Sequence, residues 1–318
     1  MTAQIAYLCS GMENEKPLIT VVIPVRDRAG VVGRALDSVA AQTLRPFSVV
    51  LVDNGSTDGT RAVLDRWQRE MADGGPEVTV ISEPRLGACA ARNAGLAVVR
   101  TPWVMFFDSD DVMLPGHLAR AVAVALRNPA ASVVGWDALD LWPGRSKRLR
   151  FIPRDALYNN IFHSSFSTIR YMARTDLVRR AGGWTEGLTM YDDCELGVRI
   201  LSQKPVMVHA GPEITVKIFH DVESITESAH EGRAAKVRTG IDAIRRHLSP
   251  RQRPWADFQQ LIKLTVWADG DPESPRDAAE LLAAQPLPRR LLWRLLLAYV
   301  RAGGRGAARI YRPFSRFI

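Results

Sequence analysis

Leu18–Val25 reads LITVVIPV, a short β-branched apolar run that ends in proline, and its reading as a buried strand decides the fold. Downstream, Val31–Gln42 carries apolar residues at Val32, Ala35, Leu36, Val39 and Ala40, which is helical spacing. Phe47–Val52 is a second apolar strand, and Asn54–Asp58 (NGSTD) supplies turn chemistry that also caps a helix over Thr60–Met71. Val78–Ile81 is predicted as a third strand, Cys89–Val99 as a helix and Trp103–Phe107 as a fourth strand. Pro115–Leu126 is predicted as a helix with proline near its start. This alternation predicts an α/β fold with a mostly parallel sheet covered by helices on both faces.

In such sheets, ligands bind beyond the carboxyl ends of the strands. The polar residues gather there: strand one runs into Arg26-Asp27-Arg28, strand two into Asp53, and strand four into Asp108-Ser109-Asp110-Asp111. The second half is less regular. Trp142–Arg154 reads as a basic connection and Phe166–Ala173 as a strand, followed by a short helix to Arg180. Gly182-Gly183-Trp184 is a turn, Asp192–Ser202 a helix, and Val206–Val208 and Ile214–Phe219 are strands. After Thr226 the chain reads as helices, broken near Ser249-Pro250 and at Asp269–Pro275, with no internal repeat.

The chain has 318 residues, 47% hydrophobic and 24% charged, which excludes a disordered or fibrous protein. Cys9, Cys89 and Cys194 form no disulfide framework or zinc spacing, so a reducing cytoplasmic setting is expected. Met1–Lys16 lacks a signal-peptide pattern, and no run reaches the roughly 18 apolar residues needed to span a bilayer. The net charge of +8 comes from 42 basic against 34 acidic residues. Eight arginines (289, 290, 294, 301, 305, 309, 312 and 316) follow Gln285 with no acid among them, so the excess belongs to the tail and the body is neutral. A general nucleic-acid binder is thereby excluded.

Several clusters could carry chemistry. The carboxylates of Asp108-Ser109-Asp110-Asp111 repel one another unless a cation intervenes. Hard oxygen ligands suit Mg²⁺ or Mn²⁺ holding a diphosphate, though a polar loop with an Asp cap would read the same way. Asp53 could accept a hydrogen bond from a nucleobase ring N–H or cap the following turn. Gly87–Gly95 (GACAARNAG) is a small-residue helix with Arg92 and Asn93 as donors. Asp192 and Asp193 open a helix, where they could cap it or take a proton from a hydroxyl. His220 could ligate a metal or phosphate, or be merely structural.

Taken in order, ITVVIPV (19–25), VDNGSTDGT (52–60), GACAARNAG (87–95), DSDD (108–111), GGWTE (182–186) and DDCELGVR (192–199) resemble the family 2 inverting glycosyltransferases of the GT-A fold. The resemblance implies a hexosyltransferase-type enzyme that uses a UDP-linked nucleotide sugar in bacterial surface polysaccharide or glycolipid assembly. It implies that Pro24, Val25 and Arg26 line the nucleotide pocket and that Asp53 contacts the base. Arg92 would assist at the nucleotide, and Asp108 would lie near the ribose and donor sugar. Asp110 and His220 would bind Mn²⁺ or Mg²⁺, with His220 and Ser224 fitting the family's His a few residues before a Ser at the end of this domain, and Asp193 would be the general base. Five positions depart from the family pattern, two of them Cys194 and Gly197, which replace bulkier, often aromatic, residues on the acceptor side. Asn54 follows Asp53 where a second acid is usual, Arg85 stands where Asn is usual, and Asp192 replaces Glu before the base. The alternatives are a non-catalytic nucleotide-sugar-binding protein and a nucleotidyltransferase on a similar sheet. The latter lacks its glycine- and arginine-rich loop here.

These readings divide the chain into an N-terminal tail (1–16), a GT-A domain (17–225), a helical extension (226–284) and a basic amphipathic tail (285–318). In the tail, arginines recur at helical spacing beside a Leu/Trp face, which suits an interfacial segment. The expected partners are a nucleotide-sugar donor, a saccharide or lipid-linked saccharide acceptor and an anionic membrane surface. The expected location is cytoplasmic, peripheral at the inner face of the cytoplasmic membrane.

Overall fold

The computed structural model describes residues 16–220, 232–267 and 271–316. Its first half alternates as the hydrophobic pattern requires: β1 (Ile19–Val25), α1 (Val32–Ala40), β2 (Ser48–Asp53), α2 (Thr60–Glu70), β3 (Glu77–Ser82), α3 (Ala88–Val98), β4 (Trp103–Phe106), β5 (Val112–Met113) and α4 (His117–Arg127). There follow β6 (Val133–Gly135), β7 (Ala138–Trp142), β8 (Arg145–Leu149), α5 (Ala156–His163), β9 (Tyr171–Arg174), α6 (Thr175–Arg180), α7 (Asp192–Ser202), β10 (Met207–His209) and β11 (Val216–Phe219). Helices α8 (Arg233–Arg246), α9 (Arg253–Val266), α10 (Glu273–Ala283), α11 (Leu287–Arg301) and α12 (Ala307–Tyr311) follow, with a 3-10 turn at Phe314–Arg316.

The main sheet has seven strands in the order β10-β6-β9-β4-β1-β2-β3, parallel except for β9, which runs against β4 and β6. Its two faces follow from the period of two along β1 and β2. Val21, Ile23, Val49 and Leu51 face the layer of α1 and α4, against Leu36, Val39, Leu118 and Val122. Val22, Val50 and Val52 face α3, α6 and α7, against Ala91, Leu96, Val178, Leu196 and Ile200. Fully burying each such aliphatic side chain stabilises the fold by roughly 1.5–3 kcal/mol. Helix α3 lies so close to the sheet that a Cβ on Gly95 would fall 2.3 Å from Val22 Cγ1. The small residues of GACAARNAG are therefore needed for close helix–strand packing.

This packing aligns the strand ends. Val25 is in register with Asp53, and β4 runs beside β1 with Val22 opposite Phe106. Pro24–Arg26, Asp53 and Asp108 thus emerge at one edge.

The region expected as a basic connection differs. Residues 138–149 form a β7–β8 hairpin that turns at Gly144 (φ +72°), within a second sheet ordered β5-β11-β7-β8. Arg145–Leu149 (RSKRL) has no buried face to mark it as a strand, and charge is a common feature of exposed edge strands. Of the strand expected over Phe166–Ala173, the first part is irregular with a 3-10 turn at Thr168–Arg170, and only Tyr171 onward pairs. The expected break over Asp269–Pro275 is shorter, because α10 starts at Glu273 and takes Pro275 into its first turn, where a missing N–H is tolerated.

The C-terminal helices pack into the body. Ile241 and Ile244 of α8 share a cluster with Cys194 and Val198 of α7, and Trp293 of α11 is wholly buried among Phe258 and Tyr311. Among the described residues, no helix is long and apolar enough to cross a membrane.

Candidate active site

The loops after β1 and β2 are tied to each other before any ligand arrives. Asp27 adopts φ +48°, and its Oδ1 accepts the Thr57 N–H at 2.7 Å while its own N–H donates to Ser56 Oγ at 3.1 Å. The Ala29 N–H donates to Asp58 Oδ2 at 3.1 Å, and the Arg28 N–H to Thr60 Oγ1 at 2.8 Å. Asp53 is buried and accepts the Ser56 N–H at 3.2 Å, closing the turn, while Asp58, just before the Gly59 N-cap of α2, accepts the Thr60 N–H through Oδ1. Beside them, Pro24 is half-buried, Val25 is buried and Arg26 is exposed.

Asn54 has a role that the sequence did not reveal. Its Nδ2 donates to the carbonyls of Glu83 and Arg85 at 2.9 and 2.7 Å, and its Oδ1 accepts the Gly87 N–H at 2.8 Å. A second acid could not donate these bonds. Asn54 therefore fixes the approach to α3, and Arg85 turns outward to pair with Glu83 and Glu186.

After β4, Asp108 and Asp110 are half-buried and Asp111 is buried. Burial, reinforced by the neighbouring carboxylates, raises the pKa of Asp110 and raises that of Asp111 well above the usual range. Asp111 Oδ1 accepts the Phe219 N–H at 3.0 Å, and Arg34 Nη2 donates to the Asp110 carbonyl at 2.6 Å. Carboxylates so placed are an acidic, oxygen-rich set that gains from a hard cation. No cluster of three or more His, Cys, Asp or Glu able to hold a metal by itself occurs among the described residues. Mg²⁺ in particular is usually held by one or two carboxylates together with substrate phosphates and water.

Arg92, on α3, joins two regions that are far apart in sequence. Its Nη2 donates to Asp108 Oδ1 at 2.8 Å and its Nη1 to Asp192 Oδ2 at 2.9 Å, with the guanidinium 4.4 Å above the Trp184 ring. Burial pushes its pKa down, but the Asp108 and Asp192 carboxylates outweigh burial and hold it charged. Asn93 meanwhile clamps the backbone of Trp184 with two bonds of 2.8 Å, against Gly183 at φ +68°. Helix α3 thereby ties the start of α7 to the acidic turn after β4.

Asp193 sits in the first turn of α7, with Oδ1 accepting the Cys194 N–H at 2.6 Å. Burial and the neighbouring Asp192 raise its pKa to about 7, so it is both basic enough to take a proton and largely ionised in mildly alkaline solution. Buried Glu195 locks the turn below it, pairing with Arg199 at 2.6 Å, Thr185 Oγ1 at 2.9 Å and His247 at 3.2 Å.

His220 follows β11 beside the same acidic loop. Its Nε2 lies 2.6 Å from Asp140 Oδ1, and its ring stacks on Trp142 at 4.3 Å. Sequence reading missed Asp140 and Trp142 because they belong to the unrecognised hairpin. Ser224, expected near His220, lies outside the described residues.

A mostly parallel sheet whose strand ends carry tied loops, an acidic turn and a helix-borne aspartate defines a GT-A-type transferase. Residues 20–175 match the family model described as glycosyl transferase family 2. It is 28% identical to the succinoglycan biosynthesis protein ExoW of Rhizobium meliloti (strain 1021), over 83% of this chain and 97% of that one. It is 25% identical to a validoxylamine A glucosyltransferase of Streptomyces hygroscopicus subsp. jinggangensis, over 75% of this chain and 63% of that one. The fold matches Staphylococcus aureus TarS 1–349 in complex with UDP-GlcNAc (TM-score 0.65, 18% identity, 93% of this chain and 91% of that one). It also matches the mannosyltransferase PcManGT of Pyrobaculum calidifontis in complex with GDP-Man and Mn²⁺ (TM-score 0.59, 20% identity, 95% and 85%).

Proposed function

We propose that this glycosyltransferase moves a sugar, with inversion, from a UDP-sugar to the hydroxyl of a saccharide or lipid-linked saccharide in bacterial surface polysaccharide or glycolipid assembly. The observation that carries the reading is the Asp108–Arg92–Asp192 bridge, which joins the acidic turn after β4 to the residue preceding Asp193. The name of the ExoW relative supports the polysaccharide context, and the UDP-GlcNAc in the TarS complex supports the donor class.

In this reading Asp53 accepts from the base, and the backbone of Pro24–Arg26 lines the nucleotide pocket. Asp108 faces the ribose and donor sugar, with Arg92 keeping it in place. Asp193 takes the proton from the acceptor hydroxyl, whose oxygen attacks the anomeric carbon. The carbon–oxygen bond to the diphosphate breaks on the opposite face, and the nucleoside diphosphate leaves with the bonding electrons. Asp110 and His220 would hold a divalent cation, Mn²⁺ or Mg²⁺, which neutralises charge on the departing diphosphate. The bond from His220 Nε2 to Asp140 suits that role, because a ring nitrogen that donates to a carboxylate leaves the lone pair on the other nitrogen. The address of the enzyme is the inner face of the cytoplasmic membrane, reached through residues 285–318.

Release of nucleoside diphosphate from a panel of UDP-sugars, titrated with Mn²⁺, tests the site. Asp110→Asn should raise the Mn²⁺ concentration for half-maximal turnover by about tenfold or more, since a neutral amide is a much weaker ligand for a hard cation. An unchanged titration would remove Asp110 from the metal site.

A further inference from the structure

The tail helix divides into two faces. Trp293, Leu296 and Leu297 are buried against the body, whereas Leu287, Leu291, Leu295 and Tyr299 are 63%, 51%, 71% and 42% exposed. Four-residue spacing puts this second set in one stripe along α11. Ile310 and Phe314 are also exposed, so six of the twelve large exposed hydrophobics among the described residues fall within 287–314. Scattered exposed apolar residues need no explanation, but a stripe confined to one helix face does.

The charges beside the stripe are all of one sign. Arg294 and Arg301 are exposed next to it, Arg305 and Arg309 follow, and no Asp or Glu occurs after Glu280. Among the described residues, no carboxylate pairs with these four. Arg312 by contrast pairs with Asp155 and belongs to the body.

We infer that the exposed face of α11, with Ile310 and Phe314, docks on an anionic lipid surface, with the leucines entering the headgroup–acyl boundary and the arginines meeting lipid phosphates. A second copy of the chain fits worse, because a two-fold contact through this face would bring arginine rows together. This assignment deepens the membrane address proposed above and is independent of the chemistry at Asp193.

The test is flotation of the full chain with phosphatidylcholine vesicles, with and without phosphatidylglycerol, over a range of salt. The chain should float with the phosphatidylglycerol vesicles and be released by salt. Leu291→Gln/Leu295→Gln and Arg294→Gln/Arg301→Gln should each weaken partitioning by about tenfold or more, with unchanged circular dichroism, since the replaced side chains are exposed. Diphosphate release in vesicle-free solution should be the same in both variants as in the parent chain. Equal flotation with uncharged vesicles, insensitivity to the leucine pair, or absence of flotation, whether as monomer or dimer, would overturn the proposal. Flotation without diphosphate release would leave this surface standing and overturn the catalytic reading.

Discussion

Asp193→Asn is expected to lower kcat by about a thousandfold, within the range that a positioned general base contributes, with little change in the donor KM. Asparagine keeps the oxygen that accepts the Cys194 N–H, so the turn into α7 survives while proton acceptance is lost. The sign of the pH dependence is fixed by the raised pKa. The base works only when ionised, so turnover of the parent enzyme should fall as pH drops below about 7, and this limb should vanish from the residual rate of the variant. Stability responds in the opposite sense. The folded state holds a proton that the unfolded chain releases, so the native fold loses stability as pH rises from the ordinary carboxylate value of 3.8 to about 7, and the cost persists above it. The asparagine variant lacks that charge and should resist urea better than the parent in alkaline solution. Kinetics against pH and urea midpoints on either side of neutrality check both. A variant with full turnover and the same acid limb would remove Asp193 from the reaction.

Arg92→Ala should be the most disruptive change in the site. It leaves Asp108 and Asp192 without their shared cation, and removing one partner of a largely buried pair costs about 3–5 kcal/mol. The loss should appear in the denaturant midpoint. Arg92→Lys restores a charge but offers a single ammonium in place of a fork reaching two carboxylates, so it should recover only part of the stability and turnover. Arg92 also holds down the pKa of Asp193, so the acid limb of the rate profile should move to higher pH in Arg92→Ala, and less in Arg92→Lys, which keeps the charge. Thermodynamic and kinetic changes appearing together would mark Arg92 as the link between the donor and base halves. A stable, fully active Arg92→Ala enzyme would show that the bridge is dispensable.

The β1–β4 core was legible because LITVVIPV and its partners are apolar enough to be buried on both faces, and polar residues mark where each strand ends. The acids beyond those ends could be named for the same reason. What stayed hidden depends on partners distant in sequence. Nothing local in RSKRL marks a strand, because its pairing is set by β7 across a glycine turn. Asn54 reads in sequence only as a departure from the usual second acid, because the three bonds that explain it run to residues 83–87. Arg92 was readable as a donor on a small-residue helix, but its reach to Asp192 arises only when α3 and α7 pack on the same face of the sheet. The tail arginines were legible as an excess charge. Which leucines beside them are buried and which exposed required the packing of Trp293.

The central claim is a single displacement at the anomeric carbon with Asp193 as the base. The most direct test is proton NMR of the reaction with the UDP-sugar that the enzyme turns over fastest, following the anomeric coupling of the first-formed product. The account predicts that the new glycosidic bond has the configuration opposite to that of the donor. A product that retains the donor configuration would contradict it.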